Sequence, residues 1–484
     1  MQSKQKWFVF LLVLLITACV TENPIQSLED TRQDPLRASQ VEQPKGWDDD
    51  LALTIPKDLN PDPNILEINI EAKIKKMEIV PGTKTPVWTY NGSLPGPLIK
   101  AKVGDKVIIH FKNKLPEATS IHWHGMRVPN NMDGVPNVTQ YSISPGEKFT
   151  YEFIVKDAGT FWYHPHINTA AQVGWGMYGP IVIEDPSDPN IFGDDLVVML
   201  SDMSVRENGE LVPADQGGDI ANLLGREGEV LLVNGKVMPT LKVRKGKQQR
   251  WRVINAARAR YYSIRHNDAV LTKLGGDNGL AEKSEVLKEI KIVPSERADF
   301  VFTPSDEPGT LATLYWHAID RGWGTAFNRP DVKMMHIETV NQPEVIAEKI
   351  PTNLRSIAPI DISKAKELLI DLTVSQPEGK PLEMGINGKP FWDVEPIQVK
   401  LGETQIWTVR NNTDFNHPFH LHGYYFQVLD ENLVPEWKDT IDIPVKSEVR
   451  LAVHFDERPG TWMYHCHILD HAEVGMMGQL VVSP

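Results

Sequence analysis

An asparagine–glycine pair recurs three times along the chain, at Asn91-Gly92, Asn234-Gly235 and Asn387-Gly388, with starts 143 and 153 residues apart. Asn-Gly readily takes the left-handed backbone of a two-residue hairpin turn. Each pair leads into a strand and a further glycine, Gly104, Gly246 or Gly402. Alternating runs then follow, as in Val107-Ile108-Ile109-His110-Phe111 and Trp251-Arg252-Val253-Ile254. A repeat of this length, built of short alternating strands, predicts an all-β chain of three consecutive Greek-key β-sandwich domains. We expect them at 65–187, 188–345 and 346–484. The 36 prolines and 34 glycines suit many strands and turns better than a helical bundle.

A second repeat is sharper and skips the middle copy. Gly159-Thr160-Phe161-Trp162-Tyr163-His164-Pro165-His166 parallels Gly460-Thr461-Trp462-Met463-Tyr464-His465-Cys466-His467. The middle copy offers only Gly309-Thr310 leading to Tyr315-Trp316-His317, which reads as a relic and makes that domain a spacer.

Ten of the 15 histidines fall in four short segments, 122–124, 164–166, 417–422 and 465–471, so chance scatter does not account for them. Residues i and i+2 of a strand share a face. His122/His124, His164/His166, His420/His422 and His465/His467 therefore each present two imidazoles together. Two pairs come from the first domain and two from the third, which suits a multinuclear metal centre held between them. Cys466 points to the opposite face from its neighbours and should serve a different metal. With His417, His471 and Met476 it makes two imidazoles, one thiolate and a weak thioether, the donor set of a blue-copper electron-transfer site.

The chain resembles the multicopper oxidases of the laccase and copper-efflux type. The residues that carry the likeness are His122-Trp123-His124-Gly125, His164-Pro165-His166, His417-Pro418-Phe419-His420-Leu421-His422-Gly423 and His465 to Met476. It covers roughly residues 65–484 and implies three cupredoxin domains with four coppers per chain. The resemblance assigns His417, Cys466, His471 and axial Met476 to a type 1 copper. It assigns His122 and His420 to a type 2 copper. His124, His164, His166, His422, His465 and His467 go to a type 3 pair. The implied activity is one-electron oxidation of a small reductant coupled to reduction of dioxygen to water. Asp470 and Asp133 match positions where the family often carries a carboxylate for proton delivery. Asp414, three residues before His417, is a candidate substrate contact.

The 14 methionines are dispersed and form no methionine-rich insert, which favours phenols and aromatic amines over cuprous ion. A cuprous oxidase serving copper tolerance is the alternative. A copper-free structural envelope protein of the same fold would lack the ligands, and a zinc protein is poorly served by an axial methionine. Nucleic acid is not an expected partner, because the net charge is −14 and no basic block stands out.

The N-terminus reads as a targeting device. Lys4 and Lys6 precede an apolar run from Trp7 to Ile16, the length of a signal-peptide core and too short to span a bilayer. It ends in Ile16-Thr17-Ala18-Cys19, which resembles the lipobox of bacterial lipoproteins. Residues 1–18 are thus an expected leader, Cys19 the lipidation site and 19–64 a tether. The expected location is the bacterial cell envelope, on the periplasmic side, with the lipid as the sole membrane contact. Cys466 is then the lone remaining thiol in an oxidising compartment, where a metal bond protects it.

Overall fold

The computed structural model describes residues 51–185, 194–244, 248–266, 271–303, 309, 311–322, 325, 329–340, 349–376, 381–430 and 432–484. The expected leader 1–18, Cys19 and tether residues 19–50 lie outside this set. The described chain is a cupredoxin-like assembly of six sheets. Strands of 65–184, 194–340 and 366–483 each supply two of them.

The same local chemistry builds each copy. Asn91, Asn234 and Asn387 have φ of 54°, 49° and 54°, and their glycines 75°, 75° and 79°. In each turn the asparagine Oδ1 accepts a backbone N–H from the copy's opening strand, at Glu71 (2.7 Å), Met199 (2.7 Å) and Asp371 (2.8 Å). The opening strand then pairs parallel with a later one: Ile65–Val80 with Lys106–Asn113, Asp194–Met203 with Gln249–Asn255, and Lys366–Ser375 with Thr404–Asn411. Those later strands end in Asn113, Asn255 and Asn411. Each turns its Nδ2 onto a carbonyl across the sandwich, at Ile143, Ile292 and Ile443 respectively. Asymmetric polar pairing of this kind fixes register where an apolar pattern alone could slip by two residues.

Alternation does the rest. Along Lys106–Asn113, Val107, Ile109 and Phe111 are buried and the intervening side chains partly exposed. Each sandwich has its own core, centred on Trp123, Trp251 and Trp407. The histidine strands lie in one sheet of each outer sandwich, His122–His124 against Gly159–His164 and His417–Leu421 against Gly460–Cys466, with every histidine-bearing stretch buried. The first and third sandwiches meet through Asn130 Nδ2, which donates to the Thr461 carbonyl (2.6 Å), and Tyr425 OH, which donates to the Gly125 carbonyl (2.6 Å).

Candidate metal centre

Strand register brings the histidines together. His122 lies opposite His164, and His420 opposite His465. Across the domain boundary the rings stack, His124 on His420 (3.8 Å between centroids) and His122 on His422 (4.0 Å). Two trios stand out. His124, His164 and His467 have ring centroids 5.0–5.8 Å apart, and His166, His422 and His465 lie 5.0–5.4 Å apart.

Most rings have one nitrogen tied to the protein and the other aimed inward. Nδ1 of His122 donates to the Asp133 carbonyl (2.8 Å), of His164 to Pro165 (2.8 Å), of His420 to Asp439 (2.9 Å) and of His465 to Cys466 (2.9 Å). His422 Nδ1 donates to the Asp133 carboxylate (2.9 Å), and His124 Nε2 to that of Asp439 (3.2 Å). Nε2 of His122, His164 and His420, Nδ1 of His124 and both nitrogens of His467 are buried without a hydrogen-bond partner. His422 and His465 turn Nε2 to Nε2 at 3.1 Å. With each Nδ1 donating elsewhere, two lone pairs face one another. Buried polar atoms are almost always satisfied, so this nest of lone pairs fits cations.

Burial keeps the rings neutral and able to ligate. It drives His124, His164, His166, His422 and His467 well below the usual imidazole value, and His465 to about 3.

The second donor set lies on the other face of the same strand. Nδ1 of His417 and of His471 each lie 3.5 Å from Cys466 Sγ and 3.0 Å from one another. Their outer nitrogens are occupied, His417 Nε2 by Thr413 Oγ1 (2.7 Å) and His471 Nε2 by the Leu223 carbonyl (3.1 Å). These partners select the tautomer that offers Nδ1 inward. Met476 is fully buried in the same core and bonds through its backbone to both Cys466 (3.1 Å) and His471 (2.9 Å). Burial pushes the Cys466 thiol up, and a bound cation reverses that. Two imidazoles and a thiolate fit copper, as does the imidazole-rich nest behind them.

The expected carboxylates separate. Asp133, fully buried, lies at the nest, with Oδ1 3.3 Å from His122 Nδ1 in addition to its bond with His422. Asp470 makes no described bond to the nest. The short helix Leu469–Glu473 carries its carboxylate to Arg226 and Arg258, and the Arg226 N–H donates to it at 2.8 Å. Asp414 is committed to Lys446 at 2.9 Å, with no described bond to either His417 or His471.

Several residues of the centre escaped the sequence reading. Asp439 reaches His124 through its carboxylate and His420 through its carbonyl, while Arg297 of the middle sandwich donates to it (Nη1, 2.9 Å). Burial alone raises an acid, but Arg297 and the two imidazoles hold Asp439 well below the ordinary range. Glu473, exposed at its outer edge, lines a cavity of about 300 Å³ together with His166, His465, Met463 and Phe391. The middle sandwich is also more than a spacer, since Leu223 and Arg297 both belong to it.

A fold of three cupredoxin sandwiches, with a cysteine-containing donor set backed by a histidine nest, defines a class of copper redox proteins. Multicopper oxidase models match residues 71–188, 194–331 and 361–484. The chain is 33% identical over 457 residues to the multicopper oxidase mco of Staphylococcus aureus, covering 89% of this chain and 92% of that one. It is 28% identical to a laccase of Bacillus subtilis, covering 82% and 90%. The solved multicopper oxidase of Campylobacter jejuni, described as a metallo-oxidase, superimposes with a TM-score of 0.80 at 31% identity, over 90% of this chain and 94% of that one. The chain belongs to the multicopper oxidase family. It is an oxidoreductase that depends on copper and uses oxygen as the electron acceptor.

Proposed function

We propose that the protein holds four coppers and oxidises a small reductant one electron at a time while reducing dioxygen to water. His417, Cys466 and His471, with the Met476 thioether as a weak fourth donor, would hold a type 1 copper. His122 and His420 hold a type 2 copper. The trios His124/His164/His467 and His166/His422/His465 hold the type 3 pair. Bound copper supplies the one-electron chemistry and the four-electron reduction of dioxygen. The observation that carries the reading is the chain segment His465-Cys466-His467, which joins both donor sets through two peptide units and turns alternate side chains into each.

The protein contributes geometry. Thr413 and the Leu223 carbonyl fix the two type 1 imidazoles, and Asp133, Asp439 and backbone carbonyls fix the nest. Asp133, which accepts from His422, is the acid we assign to proton delivery. Asp470 instead anchors Arg226 and Arg258.

Substrate choice follows from access. His417 and His471 are fully buried, and the helix Gly218–Leu224 covers the His471 edge where an organic ring would dock. That favours a compact reductant such as cuprous ion over the phenols and aromatic amines favoured by the dispersed methionines. The metallo-oxidase description of the Campylobacter jejuni structure points the same way. Phenols remain the second reading, on the likeness to the Bacillus subtilis laccase. We further propose export, lipidation at Cys19 and attachment to the bacterial envelope, on the leader and the Ile16–Cys19 segment.

Copper content, the visible spectrum and oxygen uptake test this directly. About four coppers per chain, a blue band and faster oxygen uptake on cuprous ion than on a phenol are expected. A protein that takes up copper without a blue band refutes the type 1 assignment, and faster turnover on the phenol reverses the substrate reading. Loss of lipid labelling in Cys19→Ala checks the anchor; labelling that persists refutes it.

A further inference from the structure

Beside the Cys466 donor set stands a buried cation that the chemistry above does not use. Arg321 is only 3% exposed and is anchored on both flanks of the set. Its carbonyl accepts the N–H of Asn416, the residue before His417, at 2.8 Å. Its Nη2 donates to the Leu224 carbonyl at 3.1 Å, one residue beyond the carbonyl that holds His471. The guanidinium carbon lies 5.4 Å from the centre of the Tyr261 ring, which packs in one core with Cys466.

A second guanidinium nitrogen, Nη1, is buried and has no hydrogen-bond partner. It lies 3.8 Å from the position a Cβ on Gly225 would take, a spot that Ile468 Cγ2 approaches to 2.8 Å. Ile468 is two residues past Cys466. The charge is also under-compensated. Glu227 accepts from Arg321 at 2.9 Å but serves Arg260 (3.1 Å) and Arg329 (2.8 Å) as well. Asp202 adds a second carboxylate on Arg260, leaving three guanidiniums on two carboxylates. Arg321 is thus held between the segment that leads into His417 and the one whose carbonyl holds His471, against the core that contains Cys466.

We propose that Arg321 tunes the redox poise of the Cys466–His417–His471 site, its unneutralised charge favouring the form that carries one more electron. The proposal rests on the reading of this set as a type 1 copper site. A fixed cation in a poorly polarisable interior stabilises whichever state has the lower positive charge. Arg321 has no described hydrogen bond to His417, Cys466 or His471 and is a positioning residue; it acts through the field it places on the donors.

The test is a spectroelectrochemical titration of the blue band in the copper-loaded full chain, in the parent, Arg321→Gln and Arg321→Lys. In Arg321→Gln the ratio of reduced to oxidised site at a fixed applied potential should fall about tenfold, equivalent to a potential about 60 mV lower for one electron. The band position should not move, and Arg321→Lys should recover most of the loss. An unchanged potential in Arg321→Gln overturns the proposal, as does an Arg321→Lys shift as large as that of Arg321→Gln. If Arg321→Gln does not accumulate folded, Glu227→Gln serves with the opposite sign, because removing the counter-charge must raise the potential. An unchanged or lower value there refutes the idea equally. A copper-loaded parent without a blue band instead refutes the type 1 reading, and the two failures are told apart.

Discussion

Replacing Asp439 by Asn tests whether the middle sandwich organises a centre to which it gives no ligand. Asn keeps the shape and one acceptor oxygen but removes the charge that faces Arg297, which is itself fully buried. It also places an amide N–H₂ toward either Arg297 or His124, two groups that both donate. Arg297 keeps Asp277 at 3.4 Å, a carboxyl that burial pushes up to about 6 even beside Arg297 and Lys438. It is therefore a poor replacement. Breaking a buried ion pair from one side costs about 3–5 kcal/mol; with one hydrogen bond retained we expect about 3 kcal/mol. For domains of this size that is roughly 6–12 °C in the unfolding transition. His124 loses the acceptor that fixes its tautomer, and losses of this kind weaken metal binding about 10- to 100-fold. The depressed carboxylate contributes stability that is present above its ordinary value of 3.8 and is lost as pH falls through the folded value. Calorimetry and copper titration of Asp439→Asn, Arg297→Met and the double variant measure the coupling. Additive single losses, or a transition and copper affinity equal to the parent's, refute the reasoning.

Other consequences are simpler. Asp133→Asn should slow oxygen reduction in stopped-flow reoxidation while the blue band persists; normal reoxidation removes Asp133 from proton handling. Met476→Leu should keep the blue colour and raise the potential, and an unchanged potential argues against axial ligation. Gly134 has φ +84° and a Cβ there would lie 1.8 Å from the Ile121 carbonyl oxygen. Gly134→Ala should therefore fail to accumulate folded, whereas Gly82→Ala, at φ +81° in open space, should cost only about 1 kcal/mol by chemical denaturation. Burial alone would raise Glu436, but Lys273 and Lys438 hold it at about 2 against an ordinary 4.5. Its contribution of about 3 kcal/mol is present above pH 4.5 and lost as pH falls toward 2. Urea titrations of Glu436→Gln should thus show a flatter loss of stability over that window, and an identical pH profile refutes the assignment.

The readable parts of this chain were those written as spacing. His-x-His on a strand forces two imidazoles onto one face whatever surrounds it, and the Asn-Gly turns announce each sandwich because few other pairs tolerate two successive positive φ values. The outer partners carry no such mark. Asp439, Arg297, Thr413 and Leu223 act through atoms brought together only by tertiary packing, and Leu223 contributes a backbone carbonyl that any residue could offer. Asp470 shows the converse error. Its position between His467 and His471 suggested proximity to the nest, yet the chain leaves the strand after Cys466 and the helical turn carries the carboxylate to Arg226 and Arg258.

The division of labour among the three sandwiches has a physical logic. A centre assembled from the first and third domains has its ligands on two bodies, and their relative placement decides whether lone pairs converge. Direct contacts between those bodies include Asn130 to Thr461, Tyr425 to Gly125 and Arg127 to Asp456, besides the stacked histidines. The middle sandwich meets both. Arg297 donates to the Thr160 carbonyl of the first domain (2.9 Å) and to Asp439 of the third (2.9 Å), so one rigid guanidinium sets the distance between them. The helix Gly218–Leu224 meanwhile reaches over the third domain to close the His471 edge. A domain with no His-x-His pair of its own thus carries two tasks that ligands cannot perform, fixing the gap across which the nest is built and covering the His471 edge of the cysteine-containing donor set.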